Sequence, residues 1–148
     1  MTHDAQSLPQ AFLDEIKSVL SEKSWSLDPE EISPHLEDWR GNYRGYSQLL
    51  LKPASTEEVA IAVKVCAKHN VAITPQGGNT GLVNAGLAHG EVVLSLKRMN
   101  TIRDIDPLNN SITVDAGCIL TSVHSAAEEN NRFFPLSLGS QGTATIGG

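Results

Sequence analysis

Pro75-Gln76-Gly77-Gly78-Asn79-Thr80-Gly81-Leu82 is the stretch whose reading decides the fold. An apolar run, Val71-Ala72-Ile73, leads into it, and Pro75 is expected to stop that run. Three glycines then fall within five positions. Glycine reaches positive φ at little cost, so such a run can turn successive amides inward as a concave nest for an anion. It also carries no Cβ, which lets a bulky group approach the backbone. Asn79 and Thr80 add side-chain hydrogen bonders at the rim. Taken alone, Gly-Gly-Asn reads equally well as a tight surface turn. A second glycine-bearing stretch, Leu138-Gly139-Ser140-Gln141-Gly142-Thr143-Ala144-Thr145-Ile146-Gly147-Gly148, tips the balance. Two separated loops of this kind suit a long ligand that contains a diphosphate.

The residues before the first loop give it a setting. Gln48–Lys52 reads as a short strand ended by Pro53. Ser55-Thr56-Glu57-Glu58 has the spacing of a capping box, with Ser55 as N-cap. Val59, Ala62, Val63, Cys66 and Ala67 form the expected buried stripe of the helix that follows. Lys64, Lys68 and His69 lie towards its C-terminal end, where positive charge suits the dipole. Asn70 fits a left-handed cap, and Val71–Thr74 is the next strand. Strand, helix, strand is a compact βαβ unit, so the two strands should be parallel with a right-handed crossover. The glycine loop then leaves the carboxyl end of a parallel strand, where open α/β sheets place ligands.

Elsewhere, residues 8–22 read as an amphipathic helix through Phe12, Leu13, Ile16, Val19 and Leu20, with Ser7 as N-cap and Pro9 in the first turn. Residues 23–47 are expected to be irregular, with Trp39, Tyr43 and Tyr46 packed as an aromatic lid; Asp38-Trp39-Arg40 is the part that could face a ligand. After the first loop come a strand at Glu91–Leu96, a turn at Asp106–Asn110, a half-buried strand at Ser111–Ala116 broken by Gly117, and a helix from Leu120 to about Asn130.

The 148 residues suffice for one domain with a core but are short for a two-domain enzyme. A formal charge of −6, with Lys97-Arg98 the only adjacent basic pair, argues against a nucleic-acid surface. No apolar run is long enough to span a bilayer. Residues 1–6 lack the basic and apolar regions of a signal peptide, and Asp4 suits a transit peptide poorly, so a cytoplasmic location is expected. Cys66 and Cys118 have no metal spacing and read as reduced, buried thiols. The sequence stops at Ile146-Gly147-Gly148, inside a loop, which marks it as a fragment by expectation.

Two familiar phosphate motifs are excluded. There is no G-x-x-x-x-G-K-[ST] and no lysine near either glycine loop in the sequence, and no G-x-G-x-x-G opens a helix after the first strand. What the residues do resemble is the FAD-binding domain of the vanillyl-alcohol-oxidase-type flavoproteins. The match runs through residues 75–81, the strand Val92–Leu96 with Met99-Asn100, Val114-Asp115-Ala116-Gly117, and Pro135-Leu136-Ser137-Leu138-Gly139 on to Gly148. Within that family the sequence is most similar to the branch of dehydrogenases acting on D-2-hydroxy acids such as D-lactate, glycolate and D-2-hydroxyglutarate.

The resemblance implies an α+β fold with FAD lying between two α/β subdomains, a small βαβ-type parallel sheet and then a mixed sheet, truncated here. Residues 1–47 would be a lead-in and residues 48–148 the FAD-binding domain. It implies that Pro75, Gln76, Gly77, Gly78, Asn79, Thr80, Gly81 and Leu82 hold the pyrophosphate. Pro135, Gly139, Ser140, Thr143, Thr145, Ile146, Gly147 and Gly148 would lie along the cofactor. Some relatives attach FAD through a histidine at the position of Asn79; asparagine has no nucleophilic ring nitrogen, so noncovalent FAD is expected. Cys118 is the other residue weighed for a covalent link, with little to favour it. The expected partners are a small hydroxy-acid substrate and a separate electron acceptor, and the resemblance admits a homodimer. No catalytic residue and no metal ligand can be assigned, since those of relatives lie downstream. An alcohol or sugar oxidase of the same fold, and a noncatalytic nucleotide-binding module, are the competing readings.

Overall fold

A computed structural model of the chain describes residues 7–147. The expectations placed on residues 1–6 and on Gly148 lie outside the described residues. The architecture is built around Val92–Ser95 (β4), four consecutive buried residues. A strand covered on both faces reads as a near-continuous apolar run, here Val92-Val93-Leu94 ahead of the buried Ser95, and β4 lies inside a four-stranded sheet of order β1-β2-β4-β3. Its neighbours Leu50–Leu51 (β2) and Ile73–Gln76 (β3) both run parallel to it, while Trp25–Ser26 (β1) closes the β2 edge antiparallel.

Alternation along the strands separates two cores. Val92 and Leu94, with Leu49 and Leu51, face Phe12 and Ile16 of the first helix, Leu20 just beyond it, and Ala62, Val65 and Cys66 of the third. Val93 and Leu50 face the other way, onto Ile32, Leu36 and Ala88. Truncating the fully buried Phe12 to alanine would cost about 3–5 kcal/mol, so the first helix is part of this core.

That helix, Gln10–Val19 (α1), is shorter than expected. Pro9 occupies the N-cap position and its carbonyl takes the Phe12 and Leu13 amides, at 3.0 and 3.2 Å, while Ser7 makes no cap. Leu20 is extended, which turns the chain into a 3-10 turn at Glu22–Ser24 and then β1. The segment expected to be irregular also holds Pro29–Ile32 (α2), with Pro29 at its first turn and Asp28 Oδ1 accepting from Glu30 N at 2.9 Å, and a 3-10 turn at Ser33–His35. The packed aromatic lid is not formed: Trp39 and Tyr43 are 53% and 61% exposed. Asp38 organises this loop instead, accepting the Tyr43 and Arg40 amides at 2.6 and 3.2 Å.

In Thr56–Lys68 (α3) Ser55 Oγ accepts from Glu58 N at 3.2 Å, as expected of the cap. The Glu58 carboxylate reaches Ala54 N and Ser24 Oγ rather than closing the reciprocal bond on Ser55. The buried stripe is Ala62, Val65 and Cys66; Val63 and Ala67 are exposed, because α1 and the sheet approach from one side only. Asn70 takes φ +54°, the left-handed cap the sequence called for. β3 begins two residues later than expected and carries Pro75 within it, paired with Leu94. Proline is tolerated because β3 is an edge strand and needs no outward amide bond.

Beyond the sheet, Ile102–Asp106 (β5) and Ser111–Val114 (β6) form an antiparallel pair joined by the expected turn, in which Asp106 Oδ1 accepts the Leu108 and Asn109 amides. β5 has no sequence-level expectation: Arg103, Asp104 and Asp106 leave only two apolar residues in five. Leu120–Glu129 (α4) follows, burying Leu120, Val123, Ala126 and Ala127. This is the mixed α and β architecture, with a parallel set of strands, that the sequence led us to expect.

Candidate functional site

β3 and β4 are adjacent and parallel, so Gly77–Gly81, which follow β3, sit beside Leu96–Met99, which follow β4. The first glycine loop lines a cleft of about 440 Å³ at this carboxyl end of the sheet. Leu138, Ala144, Thr145 and Gly147 of the second loop line the same cleft. Two stretches more than fifty residues apart in sequence are thus brought to one cavity.

Close approach, not positive φ, accounts for Gly78. None of Gly77, Gly78 and Gly81 has positive φ; Asn79 does, at +53°. A Cβ on Gly78 would stand 2.0 Å from the carbonyl oxygen of Thr143, a backbone contact that nothing flexible can relieve. Gly81 has nothing within 4 Å of where its Cβ would be. Among the described residues, the amides of Gly77, Gly78, Asn79, Thr80 and Gly81 donate to no protein acceptor. A run of donors without protein acceptors is what an anion-binding backbone requires.

The second loop is built differently from the expectation. Gln141 N donates to Leu138 O, Thr143 N and Ala144 N to Ser140 O, Ile146 N to Cys118 O, and Gly147 N to Ala116 O. Three of these amides bond within the loop, and those of Ile146 and Gly147 tie it to Cys118 and Ala116. Its carbonyls also close the start of α4, since Leu120 N donates to Ala144 O and Thr121 N to Gln141 O. The N-terminus of α4 has thus spent its first donors inside the protein.

Three polar side chains fix the first loop. Gln76 is 3% exposed. Its Nε2 donates to His35 O at 2.9 Å and to Gly86 O at 3.0 Å. Its Oε1 can only accept, so His35 Nδ1, 2.5 Å away, carries the proton. Burial pushes the His35 pKa down, the bond to Gln76 opposes this, and the charges of Lys97 and Lys52 add to the lowering. Asn79 Nδ2 donates to Glu37 O at 2.8 Å, so this side chain ties the loop to the lead-in instead of standing free at the rim. Asp38 lines the cleft; the amide of Tyr43, then burial in opposition and further amides, hold its pKa below the usual carboxylate range.

Of the residues singled out in the sequence, Pro75, Gln76, Gly77, Gly78, Asn79, Thr80 and Gly81 line the cleft from the first loop, and Thr145 and Gly147 from the second. Leu82, Pro135, Gly139, Ser140 and Ile146 do not line it, and Thr143 faces a neighbouring cavity. Cys118 is buried and burial raises its pKa, so it offers no accessible thiolate. Of Asp38-Trp39-Arg40, read from the sequence as able to face a ligand, Asp38 lines the cleft and Trp39 and Arg40 do not; sequence reasoning missed His35 and Lys97. Asp38 carried a weak signal as a polar residue in an aromatic loop, whereas His35 and Lys97 arrive only through tertiary contacts.

Residues 47–148 match the family described as FAD binding domain. The chain is 40% identical over 124 residues to the D-2-hydroxyglutarate–pyruvate transhydrogenase of Saccharomyces cerevisiae, covering 83% of this chain and 25% of that protein. It is 38% identical over 122 residues to the mitochondrial D-2-hydroxyglutarate dehydrogenase of Bos taurus, covering 82% and 22%. The chain spans about a quarter of the length of the curated relatives it matches. Among solved structures, alkyldihydroxyacetonephosphate synthase superposes with a TM-score of 0.84 at 21% identity, covering 95% of this chain and 28% of that one. p-Cresol methylhydroxylase does so at 0.75 and 22%, covering 93% and 28%. Among the described residues no helix is long and apolar enough to cross a membrane. With its fold, its glycine-lined cleft and the match over 102 residues, the chain belongs to the FAD binding domain family.

Proposed function

We propose that this chain is the FAD-holding part of a dehydrogenase that oxidises a D-2-hydroxy acid to the 2-oxo acid. The observation that carries the reading is the row of amides from Gly77 to Gly81, without protein acceptors and lining a cleft whose other wall is the second glycine loop. The residues fit such a cofactor. A cleft of about 440 Å³ lies in the range of small-molecule and cofactor sites, about 300–1,000 Å³. Aligned amides can solvate a diphosphate without a full counter-charge in the cleft, which keeps the site at low dielectric. At Gly78 the backbones of the two walls approach closely enough to leave no room for a Cβ.

Bound FAD would supply the hydride acceptor. The chain's own part is to grip the diphosphate through Gly77–Gly81, to fix that loop through Gln76 and Asn79, and to line the cofactor with Thr145 and Gly147. Asn79 cannot make a histidyl bond, so attachment is noncovalent. Residues 48–148 are the FAD-binding unit, and residues 1–47 are a lead-in whose α1 packs into the same core. Removing hydride from a hydroxy acid also needs a base for the hydroxyl proton and a cation to orient the carboxylate; neither role is assigned to this chain. Electrons pass to a separate acceptor rather than to NAD. The substrate class rests on the names borne by the relatives. Cytoplasmic location belongs to the same proposal, although those relatives include proteins named mitochondrial; recovery of the native protein in mitochondria on fractionation would overturn it.

The test is anaerobic titration of the purified full-length protein. We expect flavin absorbance that is bleached by D-2-hydroxy acids and not by their L-enantiomers or by sugars. A colourless protein that takes up no added FAD would remove the cofactor reading. A yellow protein bleached by a sugar or simple alcohol alone would remove the substrate reading and keep the fold.

A further inference from the structure

A second cavity, of about 250 Å³, shares Gly78 and Thr145 with the main cleft and is walled besides by Lys97, Asn100, Gly142 and Thr143. Two features mark it. Thr145 Oγ1 is buried and has no hydrogen-bond partner among the described residues. Buried hydroxyls are nearly always paired, so an orphan at a cavity wall points to a ligand atom there. Lys97 is exposed and makes no ion pair or hydrogen bond with any described residue. Its backbone is nonetheless fixed. It sits on the turn that follows β4, where Met99 N donates to Leu96 O at 2.9 Å and Gly117 N to Met99 O at 2.8 Å. A Cβ on Gly117 would stand 2.0 Å from Leu96 O, so the turn is packed directly against that glycine.

In sequence Lys97 is sixteen residues from the nearest glycine of the first loop, Gly81. In space it shares a cavity with Gly78 and with Gly142, Thr143 and Thr145 of the second. It thereby brings a full positive charge to a region where the amides contribute only partial ones. Asn100, another polar wall residue beside Thr143, has both a donor and an acceptor to offer.

We propose that Lys97 and Thr145 form a phosphate subsite for the same dinucleotide, the Lys97 ammonium neutralising and the Thr145 hydroxyl donating to a phosphate oxygen of a ligand that spans both cavities across Gly78. This rests on the FAD reading above and adds to it a charged side chain that the glycine loops lack. A charge-assisted bond of this kind is screened by salt, whereas bonds to backbone amides are less so.

The experiment uses full-length protein stripped of flavin, with the dissociation constant of FAD read by flavin fluorescence at several salt concentrations. Lys97→Met keeps the length of the side chain and removes its charge. It should weaken FAD binding about tenfold at low salt and flatten the salt dependence. Lys97→Arg should restore both to within about twofold. Thr145→Val should weaken FAD binding by a smaller factor while leaving the melting temperature unchanged or raised, since it removes an unsatisfied buried hydroxyl. Wild-type affinity and salt slope in Lys97→Met would overturn the subsite. So would loss of inorganic phosphate binding in that variant without any change for FAD, which would give the cavity to a separate anion. Failure of the wild-type protein itself to bind FAD would strike the underlying reading instead.

Discussion

Gly78→Ala is the sharpest perturbation of the site. The new Cβ would stand 2.0 Å from Thr143 O and 2.9 Å from Thr143 C, where real Cβ contacts essentially never fall below 3.0 Å. The two loops must therefore part by about 1 Å, because the opposing atoms are backbone and cannot rotate away. The φ of Gly78 is not positive, so the penalty is steric alone. Overpacking of this kind costs about 1–3 kcal/mol. At about 2 kcal/mol, and about 2–4 °C per kcal/mol for units of this size, the unfolding transition of this unit should fall by about 4–8 °C. Because the wall of the cleft moves with it, FAD retention in the purified full-length protein should drop as well. Gly81→Ala is the matched control. It has open space around the added methyl, so its melting temperature should stay put, while any loss of flavin would come from the approach of the ligand alone. Melting curves and the flavin-to-protein absorbance ratio read both. Wild-type stability and flavin content in Gly78→Ala would refute the argument that the loops are locked through this contact.

Three further outcomes are expected. His35 is held neutral in the fold by burial, with a pKa below its ordinary value. The unfolded chain therefore binds more protons just below pH 6.5, and this contribution is complete above about pH 6.5 and is lost as pH falls towards the folded pKa. Melting temperature should decline from about pH 7 to pH 5 and do so less in His35→Asn; parallel profiles for the two proteins would contradict this. Carboxylates lowered by their partners, such as Glu15 by Lys68 and His69, act in a separate window, below about pH 4.5. Acid precipitation of the full-length protein should leave the flavin in the supernatant, because Asn79 offers no ring nitrogen for a covalent bond; flavin in the pellet would show otherwise. Burial raises Cys66 to about 11 and pushes Cys118 upward too. Neither should be modified by a thiol reagent at neutral pH in the native protein, and both should be in denaturant, as peptide mapping would read.

What could be read from the sequence is what depends on neighbours a few residues away. Ser55 and Glu58 cap α3 because a cap joins residues three apart, and Asn70 ends that helix because asparagine tolerates the left-handed region. Val92-Val93-Leu94 reads as a strand, and it is one. Asp28-Pro29, the cap and first turn of α2, was equally local and was overlooked. The two glycine loops were visible as loops, and their composition was enough to suggest a diphosphate ligand.

Only the tertiary structure decided why those glycines are there. Gly78 is required by the carbonyl of Thr143, sixty-five positions away, and Gly117 by that of Leu96. Pro75 stays in its strand because β4, not β3, is central, and strand order is set by how the sheet closes rather than by any one segment. Val65, not Val63, is buried because α1 covers α3 from one side. Lys97, His35 and Asp38 reach the site through the convergence of the β3 and β4 ends with the lead-in. Spacing in a sequence fixes interactions within a turn or two of backbone; which side chains share a cavity depends on packing between elements, and that is fixed only when the whole chain has folded.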